Sequence, residues 1–416
     1  MPVFLIATLD TKGAEAVFVR DCLNRAGVEV RLVDAGCLGE PASTPDVPRA
    51  EVFAAAGTSL EAMRDAGDRG LAVTRAAEGV TRLMQAEHAR GNLDGVLGLG
   101  GSAGTTIATS AMRALPVGVP KVMVSTLAAG QVRPFVGGRD LLMLYSVVDI
   151  LGINRISRAI LTNAAHAMAG MVRFATAEPR AAESRPLLAA TMFGVTTPCV
   201  ERARAILEAA GYEVLVFHAT GVGGETMEGL IRDGVLRGVL DMTTTELADE
   251  IVGGLLSAGP NRLTAAASAG VPQVVSVGAT DMVNFFGPAT VPERFRKRNL
   301  HRHNENVTLM RTTAEENERI GADIGRKLAA SRGPVTVLLP ARGVSALDIE
   351  GGPFDDPEAR RALFGALRAH AGTIPVIERD RHINEPEFAE EAARTLLDLL
   401  DRAGPAAPSS TPGISS

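Results

Sequence analysis

The sequence predicts an α/β chain of two duplicated domains, each a mainly parallel sheet flanked by helices. Three observations carry that prediction. Short apolar runs alternate with amphipathic stretches from the first residues onward. The same succession, with similar residues, returns in the second half of the chain. Hydrophobic residues make up 46% of the 416, yet aromatics only 4% with no tryptophan, so the core must be built from Ala, Val, Leu, Ile and Met. That composition suits helices packed on parallel strands, and the length exceeds the size at which one core usually divides.

The first strand is Val3-Phe4-Leu5-Ile6-Ala7, apolar and partly β-branched. A helix over 15–26 follows, with Val17, Phe18, Cys22 and Leu23 apolar against Glu15, Arg20, Asp21, Asn24 and Arg25, and Gly27 stops it. Residues 28–33 form the second strand. The pattern recurs as strand 187–192, helix 200–210, Gly211 and strand 214–217, with Thr197 placed as N-cap and Pro198 as first helical residue. Later elements pair too: Asp94-Gly95-Val96-Leu97 with Arg237-Gly238-Val239-Leu240, and Gly118-Val119-Pro120-Lys121-Val122 with Gly270-Val271-Pro272-Gln273-Val274. Two Rossmann-like domains are therefore expected, over 1–180 and 186–403, divided within the polar, proline-bounded run 178–186. The tail 404–416, rich in Pro, Ser and Ala, is expected to be disordered.

Lys plus Arg number 42 against 48 Asp plus Glu, with no long block of either sign, which argues against nucleic acid as the main partner. Cys22, Cys37 and Cys199 form neither a disulfide framework nor a zinc spacing, and fit a reducing cytoplasm. No basic leader with an apolar h-region opens the chain, and the apolar run 141–153 contains Asp149 and is too short to span a bilayer. A cytoplasmic protein without membrane association is expected.

The most informative segment joins an apolar run to a helix: Gly95-Val96-Leu97-Gly98-Leu99-Gly100-Gly101-Ser102-Ala103-Gly104-Thr105-Thr106. Glycines Gly100, Gly101 and Gly104 let a backbone approach a ligand, and Ser102, Thr105 and Thr106 place hydroxyls beside the amides of a helix N-terminus, where anions bind. Glycines that merely turn the corner, with a hydroxyl as helix cap, are the plainer alternative. The Walker lysine is absent, and so are the G-x-G-x-x-G register and its following ribose acid. Parallel strands would bring further groups to the same edge. Among them Lys12 could neutralise phosphate, Asp10 could hold a metal-bound water, and Thr11 stands between them as a binding or capping hydroxyl. Asp34 could accept ribose hydroxyls, and Ser125 with Thr126 could complete the pocket. Each has an ordinary turn or capping role as its alternative. The connection running through Pro41 and Pro48 into a helix over 69–90 is either a lid or a surface excursion.

In the second domain the loop's counterpart is Leu240-Asp241-Met242-Thr243-Thr244-Thr245-Glu246, where Thr243 and Glu246 have capping-box spacing. Candidate catalytic groups are Asp281, His303 and Arg311 in the basic and imidazole-rich stretch or just before it, and Arg342 and His382 at later strand ends. They could meet a small anionic substrate in an interdomain cleft. No metal-ligand set emerges, since His301 and His303 lack a carboxylate or cysteine at suitable spacing. Apolar surface such as 164–171 could support a homo-oligomer.

Several ordered motifs give the chain a resemblance over nearly its whole length to the ATP-binding domain family named after the tomato mosaic virus resistance protein. They are Asp10-Thr11-Lys12-Gly13, Gly100-Gly101-Ser102-Ala103-Gly104-Thr105, the run 145–155, Asn304 with 307–313, and His382-Ile383-Asn384-Glu385-Pro386-Glu387-Phe388-Ala389. The resemblance implies two Rossmann-like subdomains and ATP held in the first, and Mg²⁺ could accompany the nucleotide. It carries no settled reaction, and the plant protein's antiviral role is not transferred, since that protein continues into a barrel-like region that is not expected in this sequence. ATP-dependent chemistry on a small molecule is one expectation. A regulatory or scaffold module switched by ATP, or an ATP-independent hydrolase or isomerase that binds a substrate phosphate, are the others.

Overall fold

Strand order in the first unit is β2-β1-β3-β4-β5, every pair parallel. The strands are β1 Val3–Ala7, β2 Val30–Asp34, β3 Gly95–Gly100, β4 Lys121–Ser125 and β5 Leu142–Tyr145. This computed structural model describes residues 1–37, 39–175 and 185–404. Most of the expected interdomain run and nearly all of the expected tail lie outside the described residues.

Alternation along β1 explains the layers. Val3, Leu5 and Ala7 face one side, where the helices Leu9–Arg25 and Arg155–Phe174 contribute Leu9, Val19, Leu23, Leu161 and Met168 to a shared core. Phe4 and Ile6 face the other side, packed with Val80 and Met84 of the helix Arg69–Ala89 and Ile107 and Met112 of the helix Ser102–Ala114. The first helix begins at Leu9, earlier than the apolar period suggested, because a break at Lys12 (φ −128°, ψ 20°) separates its first turn from the rest. Gly27 ends this segment with φ +77°, a left-handed turn that glycine adopts without a Cβ clash.

The second unit has a six-stranded sheet in the order β14-β13-β9-β8-β6-β7. Its strands, all parallel, are β6 Leu187–Met192, β7 Glu213–His218, β8 Gly238–Thr243, β9 Gln273–Gly278, β13 Val335–Pro340 and β14 Val376–Arg379. Between β9 and β13 the chain forms a small antiparallel sheet, β10-β12-β11, from β10 Met282–Phe285, β11 Leu300–Arg302 and β12 Thr308–Arg311. Counted from each unit's own first strand, both parallel sheets share the succession second, first, third, fourth, fifth, and the second unit adds one strand at the edge. The expected fold of two mainly parallel, helix-flanked sheets is met. Both follow the flavodoxin-like variant of the doubly wound order.

Three local expectations are corrected. Thr196, one residue earlier than expected, is the N-cap of the helix Thr197–Ala209, and its hydroxyl bonds Thr243 instead of capping. Thr243 and Glu246 form no capping box, because Thr243 is still in β8 and Glu246 is drawn away by Arg262. Half of the apolar stretch 164–171 is not surface: Ala164, Ala165, Met168 and Ala169 are buried against the first unit's sheet.

Candidate functional site: the crevice after β1 and β3

β1 and β3 are neighbours, yet the helices that follow them pack on opposite faces of the sheet. Their divergence opens a crevice at the carboxyl ends of the two strands, the place where doubly wound sheets hold ligands. Both helices enter it by their N-termini, and neither N-cap residue, Thr8 or Gly101, makes a side-chain cap. The first helical bond after β3 runs from Thr105 N to Gly101 O at 2.8 Å, so the amides of Ser102, Ala103 and Gly104 precede it and keep their donor capacity for other partners.

The resulting cleft encloses about 240 Å³. Thr8, Asp10, Thr11 and Lys12 line it from the β1 side, Gly101, Ser102, Ala103, Gly104 and Ile107 from the β3 side, and Cys37, Arg69 and Val73 from the β2–β3 connection. The Lys12 ammonium donates to the Ile150 carbonyl. Asp10 Oδ2 accepts from Gly39 N at 3.2 Å, and its carboxyl packs so closely over Gly36 that a Cβ there would lie 2.8 Å from Cγ. Burial and the carboxylates of Asp10 and Asp34 push the Cys37 thiol up to about 11, which keeps it protonated at neutral pH.

The loop glycines differ in purpose. A Cβ on Gly98 would lie 2.6 Å from Ala108 Cβ and Met123 Sδ, and one on Gly100 2.6 Å from Gly104 Cα. On Gly104 it would sit 2.9 Å from Leu99 O. Strand-to-helix packing therefore requires these three. Gly101 is different: its φ is −80°, and the nearest atom to an added Cβ, Thr126 Oγ1, is 3.7 Å away. Internal packing does not explain why this cleft-lining position is bare, whereas close approach of a ligand would.

Three other expected binding residues, Thr105, Ser125 and Asp34, are buried out of the cleft. Thr105 and Ser125 are fully buried and bond each other, Oγ1 to Oγ at 2.7 Å, bracing the loop against the end of β4. Asp34 is also buried, with Oδ1 accepting from Leu9 N at 3.1 Å and Gly36 N at 2.9 Å, and burial raises its pKa. It anchors the helix start instead of facing the cleft. Thr106 back-bonds to Ser102 O, and Thr126 donates its amide to Gly100 O at 3.3 Å. Arg69, Ala103, Cys37, Val73, Ile107 and Thr8 were not singled out from sequence. The suspected lid, the long connection leading into the helix over 69–90, was the one signal for Arg69 and Val73.

In the second unit the corresponding crevice is filled. Arg262, fully buried, donates Nη1 and Nη2 to the two Asp241 oxygens at 2.6 and 2.7 Å and Nε to Glu246 at 2.7 Å. Glu246 Oε1 also accepts from the amides of Gly221 and Gly224, at the start of the helix Val222–Arg232, where a bound anion would otherwise sit. Glu228 completes the group and accepts from the amides of Leu263, Thr264 and Ala265.

Of the candidate catalytic residues, Asp281, Arg311 and His382 do gather around the loop carrying Ser345 and Asp348. Asp281 Oδ2 accepts from Ser345 Oγ at 2.7 Å, and Arg311 donates to the carbonyls of Phe354 and Asp281 and to Asp348. His382 Nδ1 accepts from Asn384 N, which leaves Nε2 to donate to the Ser345 carbonyl at 2.9 Å. The ring addresses the backbone oxygen, not the hydroxyl, so no nucleophilic triad forms. Arg342 instead forms an exposed ion pair with Asp380, and His303 is exposed in the turn between β11 and β12. These two do not join the cluster. Among the described residues no group of three or more His, Cys, Asp or Glu could hold a metal ion, and no helix is long and apolar enough to cross a membrane.

The N-terminal domain of the uncharacterised protein family UPF0261 matches residues 1–177, and its C-terminal domain matches residues 185–400. The chain belongs to the UPF0261 family. A UPF0261 protein of Clostridium tetani is 48% identical over 402 residues, covering 96% of this chain and 99% of that protein. Another, RA0729 of Rhizobium meliloti, is 47% identical and covers 96% and 99%. The ToMV resistance protein Tm-1(GCR237) of Solanum lycopersicum is 42% identical over 95% of this chain, which spans 55% of that protein. The family resemblance read from the motifs is thereby borne out.

Proposed function

We propose that the first unit of this UPF0261 chain binds a nucleotide by its phosphates, ATP being the ligand that the family resemblance implies. The observation that carries the reading is the bare Gly101 at the start of a helix whose first three amides precede its first helical hydrogen bond, with Lys12 on the same cleft. Amide donors and a cation facing a space that packing leaves open fit a phosphate chain. Sites that enclose whole ligands run from about 300 to 1,000 Å³. The cleft's 240 Å³ suits the phosphate chain, with the nucleoside reaching beyond these walls.

Gly101, Ser102, Ala103 and Gly104 would hold the phosphates by backbone amides, Lys12 would neutralise charge, and Asp10 could orient water around an accompanying Mg²⁺. No reaction is assigned, because Asp281, Arg311 and His382 are committed to buried internal bonds. Calorimetric titration with ATP and Mg²⁺, followed by assay for ADP and phosphate, tests the proposal. Saturable binding supports it, and turnover would add an activity. Absence of binding overturns it.

A further inference from the structure

Arg69 opens the helix Arg69–Ala89 and lines the same cleft as Lys12, from the β2–β3 connection. Among the described residues its guanidinium has no ion pair or hydrogen bond. Arg49, the neighbouring arginine of the same β2–β3 connection, shows the contrast: it is committed to Asp34, Glu40 and the Gly39 carbonyl. The carboxylate next to Arg69, Asp68, is occupied as N-cap and accepts from Leu71 N at 3.0 Å. Three charged side chains line the cleft, Asp10, Lys12 and Arg69. Without Arg69, Asp10 and Lys12 cancel, and the cleft has no net attraction for an anion beyond its helix ends.

From this arrangement we infer that Arg69 is the specificity residue that makes the site select a chain of two or more phosphates over a single phosphate. The inference rests on the proposed phosphate site. Lys12 and the amides after Gly101 would meet one phosphate, and Arg69, which reaches the cleft from a different segment, would meet charge further along the chain. A guanidinium suits that role, since its fork of donors can engage two phosphate oxygens at once. The ligand class is a nucleoside di- or triphosphate, or an inorganic polyphosphate with the same chemistry.

The test compares ATP, AMP and inorganic tripolyphosphate by calorimetry on the full chain and on Arg69→Met and Arg69→Lys. Arg69 is exposed and forms no hydrogen bond or ion pair among the described residues, so both variants should melt as the wild type does. The wild type is expected to bind ATP at least about tenfold more tightly than AMP, a difference of about 1.4 kcal/mol. Arg69→Met is expected to remove most of that ratio with little change for AMP, Arg69→Lys to keep part of it, and added salt to shrink it in the wild type. Tripolyphosphate matching ATP assigns selection to the phosphate chain, while ATP alone binding well overturns that assignment. An unchanged ATP-to-AMP ratio in Arg69→Met overturns the role of Arg69 and leaves the phosphate site standing. Failure of the wild type to bind all three overturns both.

Discussion

Ala103 in the first unit and Glu246 in the second occupy the same position: the second residue of the helix that follows the third strand of each sheet. β3 and β8 each run six residues, and a helix starts two residues after each. By the same count Gly98 stands where Asp241 does. Two of the three carboxylates that hold Arg262 in the second unit are thus a methyl and a hydrogen in the first. One crevice is closed by an internal anion and the other is left open.

Restoring the carboxylate should close the open one. In Ala103→Glu the new side chain would enter a cleft that holds Lys12 and Arg69 and would take the place of phosphate. An acid in the first turn of a helix is favourable, so the fold should not suffer. The expected outcome is at least about a tenfold loss of ATP affinity with an unchanged melting temperature, read by calorimetry and thermal denaturation.

Gly101 gives a second handle on the same site. Its φ of −80° suits any residue and an added Cβ meets nothing closer than 3.7 Å, so Gly101→Ala should fold normally. Gly101→Val should abolish nucleotide binding, because its branches would occupy the space a phosphate needs. Gly100→Ala, by contrast, should destabilise the first unit, since its Cβ would lie 2.6 Å from Gly104 Cα. Urea denaturation alongside titration separates the two effects.

Removing the internal cation of the second unit should be costly. Arg262→Met leaves Asp241, Glu246 and Glu228 buried without their partner, a type of change that costs about 3–5 kcal/mol. A fall of that size in the unfolding free energy, read by urea denaturation, is expected. Glu246→Gln in the same background should recover part of the loss by removing one uncompensated charge.

Asp281 supplies a pH dependence. Burial, with Asp348 nearby, lifts its carboxyl from an ordinary 3.8 to about 7, and burial lifts Asp249 similarly. Between about 4 and 7 the folded state holds protons that the unfolded chain has released, so these groups lower stability as pH rises through that window. Asp281→Asn removes one of them while keeping an oxygen for the Ser345 hydroxyl. Thermal melts should show the variant gaining on the wild type from pH 5 to pH 8. A constant difference would contradict the shifted titration.

The duplication and the parallel layers were legible because they rest on local signals: apolar runs, helix stops and the pairing of Gly95 with Gly238. The loop after β3 was legible for the same reason. What lay beyond reach depends on contacts between distant segments. Arg69 meets the cleft only through the path of the β2–β3 connection, and no local pattern marks it. Thr105, Ser125 and Asp34 carry the right chemistry at the right strand ends, but side-chain direction turns them inward. Glu246 matched a capping box by spacing, yet a buried arginine 16 residues on was the stronger partner. His382 read as reactive because a histidine at a strand end often is. Its two ring nitrogens are instead satisfied by backbone groups.

Amide exchange at Ser102, Ala103 and Gly104, measured with and without ATP and Mg²⁺, tests phosphate binding in the first unit most directly. These donors precede the first helical hydrogen bond, so they should exchange rapidly in the free protein and become protected when phosphate occupies the cleft. Ala103→Glu should show no added protection. ATP binding that leaves these amides exchanging as before, or protects only amides of the second unit, would contradict the assignment.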